Sequence, residues 1–157
     1  MNRAMNTAAR RRPRVTALVV LMGLCSLVPA VGQTSVGVIL GEPTGLSAKQ
    51  WIGGRAALDV AVAWSFVNTS SLYVHVDYQH HFDDLDIDEG DLLWFAGIGG
   101  RVHLAQDVRL GARFPLGLFY VFADVPFELF FEVAPGMEVF PEPRFNMAGG
   151  IGVRYRF

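Results

Sequence analysis

Gly150-Ile151-Gly152-Val153-Arg154-Tyr155-Arg156-Phe157 is the stretch on which the fold turns. Ile151, Val153, Tyr155 and Phe157 fall on one side of an extended chain, and Gly150, Gly152, Arg154 and Arg156 on the other. A period of two marks a strand with one apolar and one polar face. Glycine and arginine make a poor soluble surface, so the polar face calls for an explanation of its own.

The same alternation recurs upstream, broken by turn residues. It predicts eight strands, over 35–41, 44–52, 55–66, 71–82, 92–104, 107–121, 126–138 and 145–157. Glu42-Pro43-Thr44 and Gly53-Gly54 read as tight turns. Ala105-Gln106-Asp107 and Ala123-Asp124-Val125-Pro126 supply short connections, and Pro141 and Pro143 end the seventh strand. Reading 35–52 as one long kinked strand would give seven, an odd number that single-chain bacterial barrels avoid. Downstream of residue 32 there is no run of 18 apolar residues and no helical period. The expected fold is all-β, an antiparallel up-and-down eight-stranded transmembrane β-barrel over residues 33–157.

Residues 1–32 read differently. Arg10, Arg11, Arg12 and Arg14 precede an apolar stretch from Val15 to Val28, and the small residues Ala30 and Gly32 follow at signal-peptidase spacing. This is the pattern of a cleavable signal peptide, too short for a comfortable membrane-spanning helix. Pro13 and Arg14 break the twin-arginine pattern. Cys25, the sole cysteine, follows Leu24 where a lipoprotein site wants a small residue, so it is expected to leave with the leader. Without it no disulfide or thiol chemistry remains.

Removal of the five leader arginines leaves eight basic against 15 acidic residues, a net charge near −7. Asp83, Asp84, Asp86, Asp88, Glu89 and Asp91 concentrate that charge in one segment, expected to be a loop. No basic patch remains for a nucleic acid. Lys49 is the only lysine, far fewer than a soluble surface of this size usually carries.

Which face meets lipid is decided by cost. An arginine at the lipid midplane of a barrel costs roughly 2–4 kcal/mol, so Arg101, Arg109, Arg113, Arg154 and Arg156 must face inward. The repeat Gly97-Ile98-Gly99-Gly100-Arg101, parallel to Gly150-Ile151-Gly152-Val153-Arg154, puts Arg101 on the face of Arg154. Inward positives (Lys49 and those five arginines) then meet Asp59, Asp77, Glu128, Glu132 and Glu138, six against five. Buried charges need partners, and eight strands enclose a lumen that side chains can fill. The expectation is a plugged, salt-bridged interior, with His75 and His103 sharing it.

The chain resembles the small eight-stranded outer-membrane barrels of the OmpA/OmpX type, and more closely a family of short uncharacterised barrels. Gly41-Glu42-Pro43-Thr44-Gly45-Leu46-Ser47, Ala57-Leu58-Asp59 leading to Trp64-Ser65-Phe66, Val74-His75-Val76-Asp77-Tyr78, the 126–136 segment and the closing 150–157 carry the resemblance. Gly152, Tyr155 and the terminal Phe157 resemble the signal that the barrel-assembly machinery recognises. The resemblance implies a monomer in the outer membrane of a diderm bacterium, with lipid and that machinery as partners and no cofactor. The long surface loops of adhesin-like barrels and a peptidoglycan-binding domain are both missing from the sequence, which argues against those roles.

Catalytic signals are weak. His75 and Asp77 form the skeleton of a general base, but no serine or cysteine is placed as nucleophile. The His-x-Ser arrangement of outer-membrane lipid A deacylases does not occur. His80-His81, beside Asp83 and Asp84, reads as a solvated strand end, since adjacent strand residues point to opposite faces. Asp84, Asp86 and Asp88 mimic calcium-loop positions 1, 3 and 5. Glu89 stands where the loop needs glycine, and Phe95 where it needs glutamate. Trp51, Trp94, Tyr120, Phe122, Phe145 and Tyr155 read as interfacial girdle. The expected role is structural, in envelope integrity and without catalysis. The alternatives are a narrow solute channel and a soluble periplasmic lipocalin-like barrel with an apolar cavity.

Overall fold

The computed structural model describes residues 33–42, 44–65, 71–87 and 90–157, and for 65 and 83–87 the backbone alone. The expected signal peptide and Cys25 lie outside the described residues, as do Pro43, Asp88 and Glu89. Nine antiparallel strands form a single sheet: β1 (Thr34–Glu42), β2 (Gly45–Gly53), β3 (Ala56–Ser65), β4 (Ser71–Ile87), β5 (Gly90–Leu104), β6 (Val108–Arg113), β7 (Leu116–Phe122), β8 (Phe127–Phe140) and β9 (Arg144–Arg156). Each pairs with the next in sequence around a ring, except that β6 and β7 share one place between β5 and β8. β1 pairs with β9 from Ser35↔Arg156 to Glu42↔Gly149 and closes the ring at eight positions.

Residues 35–52 thus do form two strands, as the even count required. The sixth expected strand, 107–121, is interrupted at Phe114-Pro115, because proline has no N–H for the ladder. Pairing bridges the interruption: Gly97 donates to the Pro115 carbonyl at 2.8 Å, and Phe114 to the Pro135 carbonyl at 2.9 Å. The in–out phase survives it, with Arg113 and Pro115 inside and Phe114 and Leu116 outside.

The acidic segment corrects an expectation. It is not a loop from 83 to 91: β4 runs on to Ile87 and β5 begins at Gly90, with Leu85↔Leu92 and Ile87↔Gly90 in register. Pairing continues across a register shift between Asp83 and Leu85, where the apolar positions change from even to odd numbers, and the alternation of Leu85 and Ile87 with the carboxylates resumes beyond it. At Gly53 and Gly54 the backbone has φ of 128° and 55°, a left-handed conformation that glycine adopts without strain. The β1–β2 turn is tied by the Thr44 hydroxyl, which accepts from the Gly41 N–H at 3.0 Å and donates to the Gly41 carbonyl at 2.8 Å.

Alternation sorts the two faces around the ring. Leu40, Leu46, Trp64, Val76, Ile98, Leu118, Phe131 and Ile151 are exposed outside, whereas Lys49, Asp59, Asp77, Arg113, Glu128 and Arg154 are buried inside. An apolar-ligand barrel of the lipocalin kind requires the opposite arrangement, and that alternative falls. Closure pairs β1 with β9 and leaves the sheet no free edge strand.

Candidate functional site: the barrel lumen

Inward positions on all the strands converge in one lumen. At the end that carries Thr34 and Phe157, the Lys49 ammonium lies 4.1 Å from the ring centre of Phe119 and 5.3 Å from that of Phe95. Its nitrogen also meets Nε2 of His81 at 3.0 Å. Trp51 packs on His81 with ring centres 4.5 Å apart. Lys49 makes no ion pair among the described residues; rings and an imidazole hold it in place of a carboxylate. Such cation–π contacts strengthen where water is excluded.

This cluster revises two expectations. Trp51 belongs to the lumen and not to the girdle, since on β2 it shares the phase of Ser47 and Lys49. His81 is fully buried and not a solvated strand end, because β4 continues six residues beyond it. His80, one position on, takes the other face and packs on Phe82.

Deeper in, one connected network spans the barrel. The Arg154 guanidinium pairs with Asp59, bonds the Ser47 hydroxyl at 2.8 Å, and reaches Glu128 at 3.3 Å. Glu128 also accepts from Ser35 at 3.0 Å. His75 lies 3.8 Å from Asp59 and 3.7 Å from Asp77. Arg113 pairs with Glu132, contacts His75, and has Nε 3.3 Å from Asp77. Seven of the expected residues are thereby joined: Asp59, His75, Asp77, Arg113, Glu128, Glu132 and Arg154. Arg101 and Glu138 form a separate pair at 2.8 Å, with Asn146 as a further acceptor.

The remaining members stand apart. Arg156 donates to the carbonyls of Phe122 and Val125 at 3.1 and 3.4 Å, and so ties down the β7–β8 turn instead of joining the charge network. His103 meets only the Tyr73 ring. Arg109 is half-buried and bonds to no described residue. Trp51, Tyr73, Gln79, His81, Phe95, Phe119 and Asn146 are lumen residues that the expected set omits. Strict alternation along their strands would have placed each of them inside.

Small residues leave the room for these long side chains. A Cβ at Gly99 would sit 1.9 Å from the Asp77 carboxylate. One at Gly152 would come within 2.3 Å of the Phe130 ring, over which the Arg154 guanidinium lies at 3.8 Å. Gly152→Ala is expected to destabilise the barrel by about 1–3 kcal/mol through overpacking, read as a lowered urea midpoint.

The girdle aromatics lie outside. Trp94 stacks on Phe82 at 3.9 Å, and Tyr155 packs edge-on against Phe127 and Phe157. Tyr120 and Phe122 pair edge to face, and Phe145 is exposed.

No protein-family model matches the chain, and no curated protein matches it. Among solved structures it is similar to the N-terminal β-barrel domain of Pseudomonas aeruginosa OprF, with a TM-score of 0.60 and 13% identity over 80% of this chain and 98% of that one. Ail, the attachment invasion locus protein of Yersinia pestis, matches with a TM-score of 0.41 and 13% identity, over 80% of this chain and 99% of that one. At this identity the likeness to OprF concerns the fold: an eight-stranded barrel of the outer-membrane type.

Proposed function

We propose that this chain is a monomeric barrel of the outer membrane whose lumen is closed by its own side chains, and that it supports the envelope without catalysis. The observation that carries the reading is a contact across the full diameter. Lys49 on β2 and Phe119 on β7 stand four positions apart in a ring of eight, yet the ammonium is 4.1 Å from the ring centre. Arg154 on β9 likewise crosses to Asp59 on β3. Side chains meeting from opposite walls leave little room for a file of ions.

The exposed apolar belt supports insertion in a bilayer, where the inward arginines escape the cost of facing lipid. The expected leader and terminal assembly signal fit delivery to the outer membrane by the barrel-assembly machinery. Fractionation tests the location: the protein should resist carbonate extraction and change gel mobility on boiling. Planar-bilayer recording tests the closure. The purified barrel is expected to give no unitary current steps, and Lys49→Ala with Phe119→Ala is expected to give none either, because the network about Arg154 and Arg113 still spans the lumen. Stable steps from the unaltered barrel would replace this reading with the narrow channel.

A further inference from the structure

Among the described residues, the end of the lumen away from Thr34 and Phe157 holds a cavity of about 540 Å³. Its floor is the Arg101–Glu138 pair, where the two charges cancel. Above that pair runs a single cross-strand row, Tyr73↔His103↔Arg109 on β4, β5 and β6. Ala63 extends the row on β3 beside Tyr73, and Gly41 and Ala148 stand across from it; all three contribute almost no side chain and leave room for the cavity.

The row is rich in donors without acceptors. The Tyr73 hydroxyl is buried and has no hydrogen-bond partner among the described residues. Arg109 is half-buried, five donors strong, and equally without one. Among the described residues the His103 ring faces that of Tyr73, with centres 6.3 Å apart, and makes no hydrogen bond. Arg154, Arg113 and Arg101 each hold a carboxylate, and Arg156 holds the carbonyls of the β7–β8 turn. Glu42 is the other acid on the cavity wall, and it is exposed at the rim. A buried hydroxyl costs free energy until it is bonded, and a guanidinium fork fits the paired oxygens of carboxylate or phosphate.

We propose that this vestibule is a binding site for a small phosphate- or carboxylate-bearing group, held by Arg109 with Tyr73 and His103 as further donors. The volume lies in the range of small-molecule pockets. The site requires only the barrel fold, and it stands whether or not the lumen beneath it conducts. Two sources offer this chemistry: a free anion from the medium, or the phosphate of a neighbouring lipid headgroup folded over the rim.

The test is titration of the full barrel in zwitterionic phosphatidylcholine nanodiscs with inorganic phosphate against chloride at constant ionic strength, followed by calorimetry. Saturable binding is expected, weakened at least tenfold in Arg109→Gln and severalfold in Tyr73→Phe. Arg156→Gln, at the other end, should leave it unchanged. Repetition in nanodiscs of an uncharged, phosphate-free galactolipid separates the sources. A higher apparent affinity there assigns the site to headgroups, which compete in phosphatidylcholine, and an unchanged one to free anions. Gel mobility before and after boiling establishes that each variant is folded. Should Arg109→Gln not fold, Tyr73→Phe, which removes one hydroxyl, decides alone. Absence of saturable binding by the unaltered barrel, or equal affinity in the folded variants, overturns the proposal.

Discussion

Arg154→Ala is expected to cost about 3–5 kcal/mol of unfolding free energy, a large share of the roughly 5–15 kcal/mol that keeps an ordinary domain folded. Arg154 is 1% exposed, and its principal partners Asp59 and Glu128 are as deeply buried. Truncation leaves two carboxylates facing each other's side of the lumen without their cation. Glu128 keeps the Ser35 hydroxyl and Asp59 the more distant His75, neither of which carries a fixed positive charge. The stacked contact with Phe130 disappears as well.

Urea unfolding in lipid vesicles, followed by tryptophan fluorescence, measures the loss. The cause is separated by a triple variant, Arg154→Met with Asp59→Leu and Glu128→Met, which removes charge along with its partner. It should recover more than half of the lost stability, since a buried ion pair is worth little against an apolar replacement of similar volume. A triple variant as unstable as the single one would mean that packing, and not unpaired charge, sets the penalty. Arg154→Lys should fall between the two, because an ammonium cannot serve Ser47, Asp59 and Glu128 in one planar fork.

The second large effect is on the outer wall. Ile151 lies near the middle of β9, beside Leu40 of β1 and Phe131 of β8 in register, all of them exposed. Ile151→Arg should cost about 2–4 kcal/mol in a bilayer, and Val108→Arg, at the start of β6, about 0–1 kcal/mol. The difference between the two sites is the diagnostic quantity. It follows depth in hydrocarbon, so equal small losses would mean that the apolar wall does not face lipid. Detergent micelles should compress the contrast, because a micelle deforms around a charge more readily than a bilayer.

Particular elements explain what could be read in the sequence. Strand period and turn residues are local properties, and they predict the ring of eight, the inward arginines and the outward belt. Alternation assigns a side chain to a face but not to a partner. That Arg154 would find Asp59 three strands away, or Lys49 find Phe119 across the diameter, depends on the stagger of the strands, which no local pattern encodes. Charge and period failed together at 83–87: carboxylates read as a loop, and the register shift between Asp83 and Leu85 breaks the apolar phase at the same place, so nothing local marked the strand beyond it. His81 and Trp51 were misassigned for a related reason, each being judged by its chemistry near an expected strand end when its phase already placed it inside. The interruption at Pro115 was hidden by a phase that continues on both sides of it.

Lys49 and Phe119 come from opposite walls, and neither has its partner until the cylinder is complete. Contacts of this kind contribute nothing to an open sheet and everything to a closed one. Interactions absent from the transition state slow unfolding without hastening folding, and a contact that needs the finished cylinder is of that kind. Persistence in the membrane is then a kinetic property lodged in the interior, separate from the alternating pattern that directs assembly.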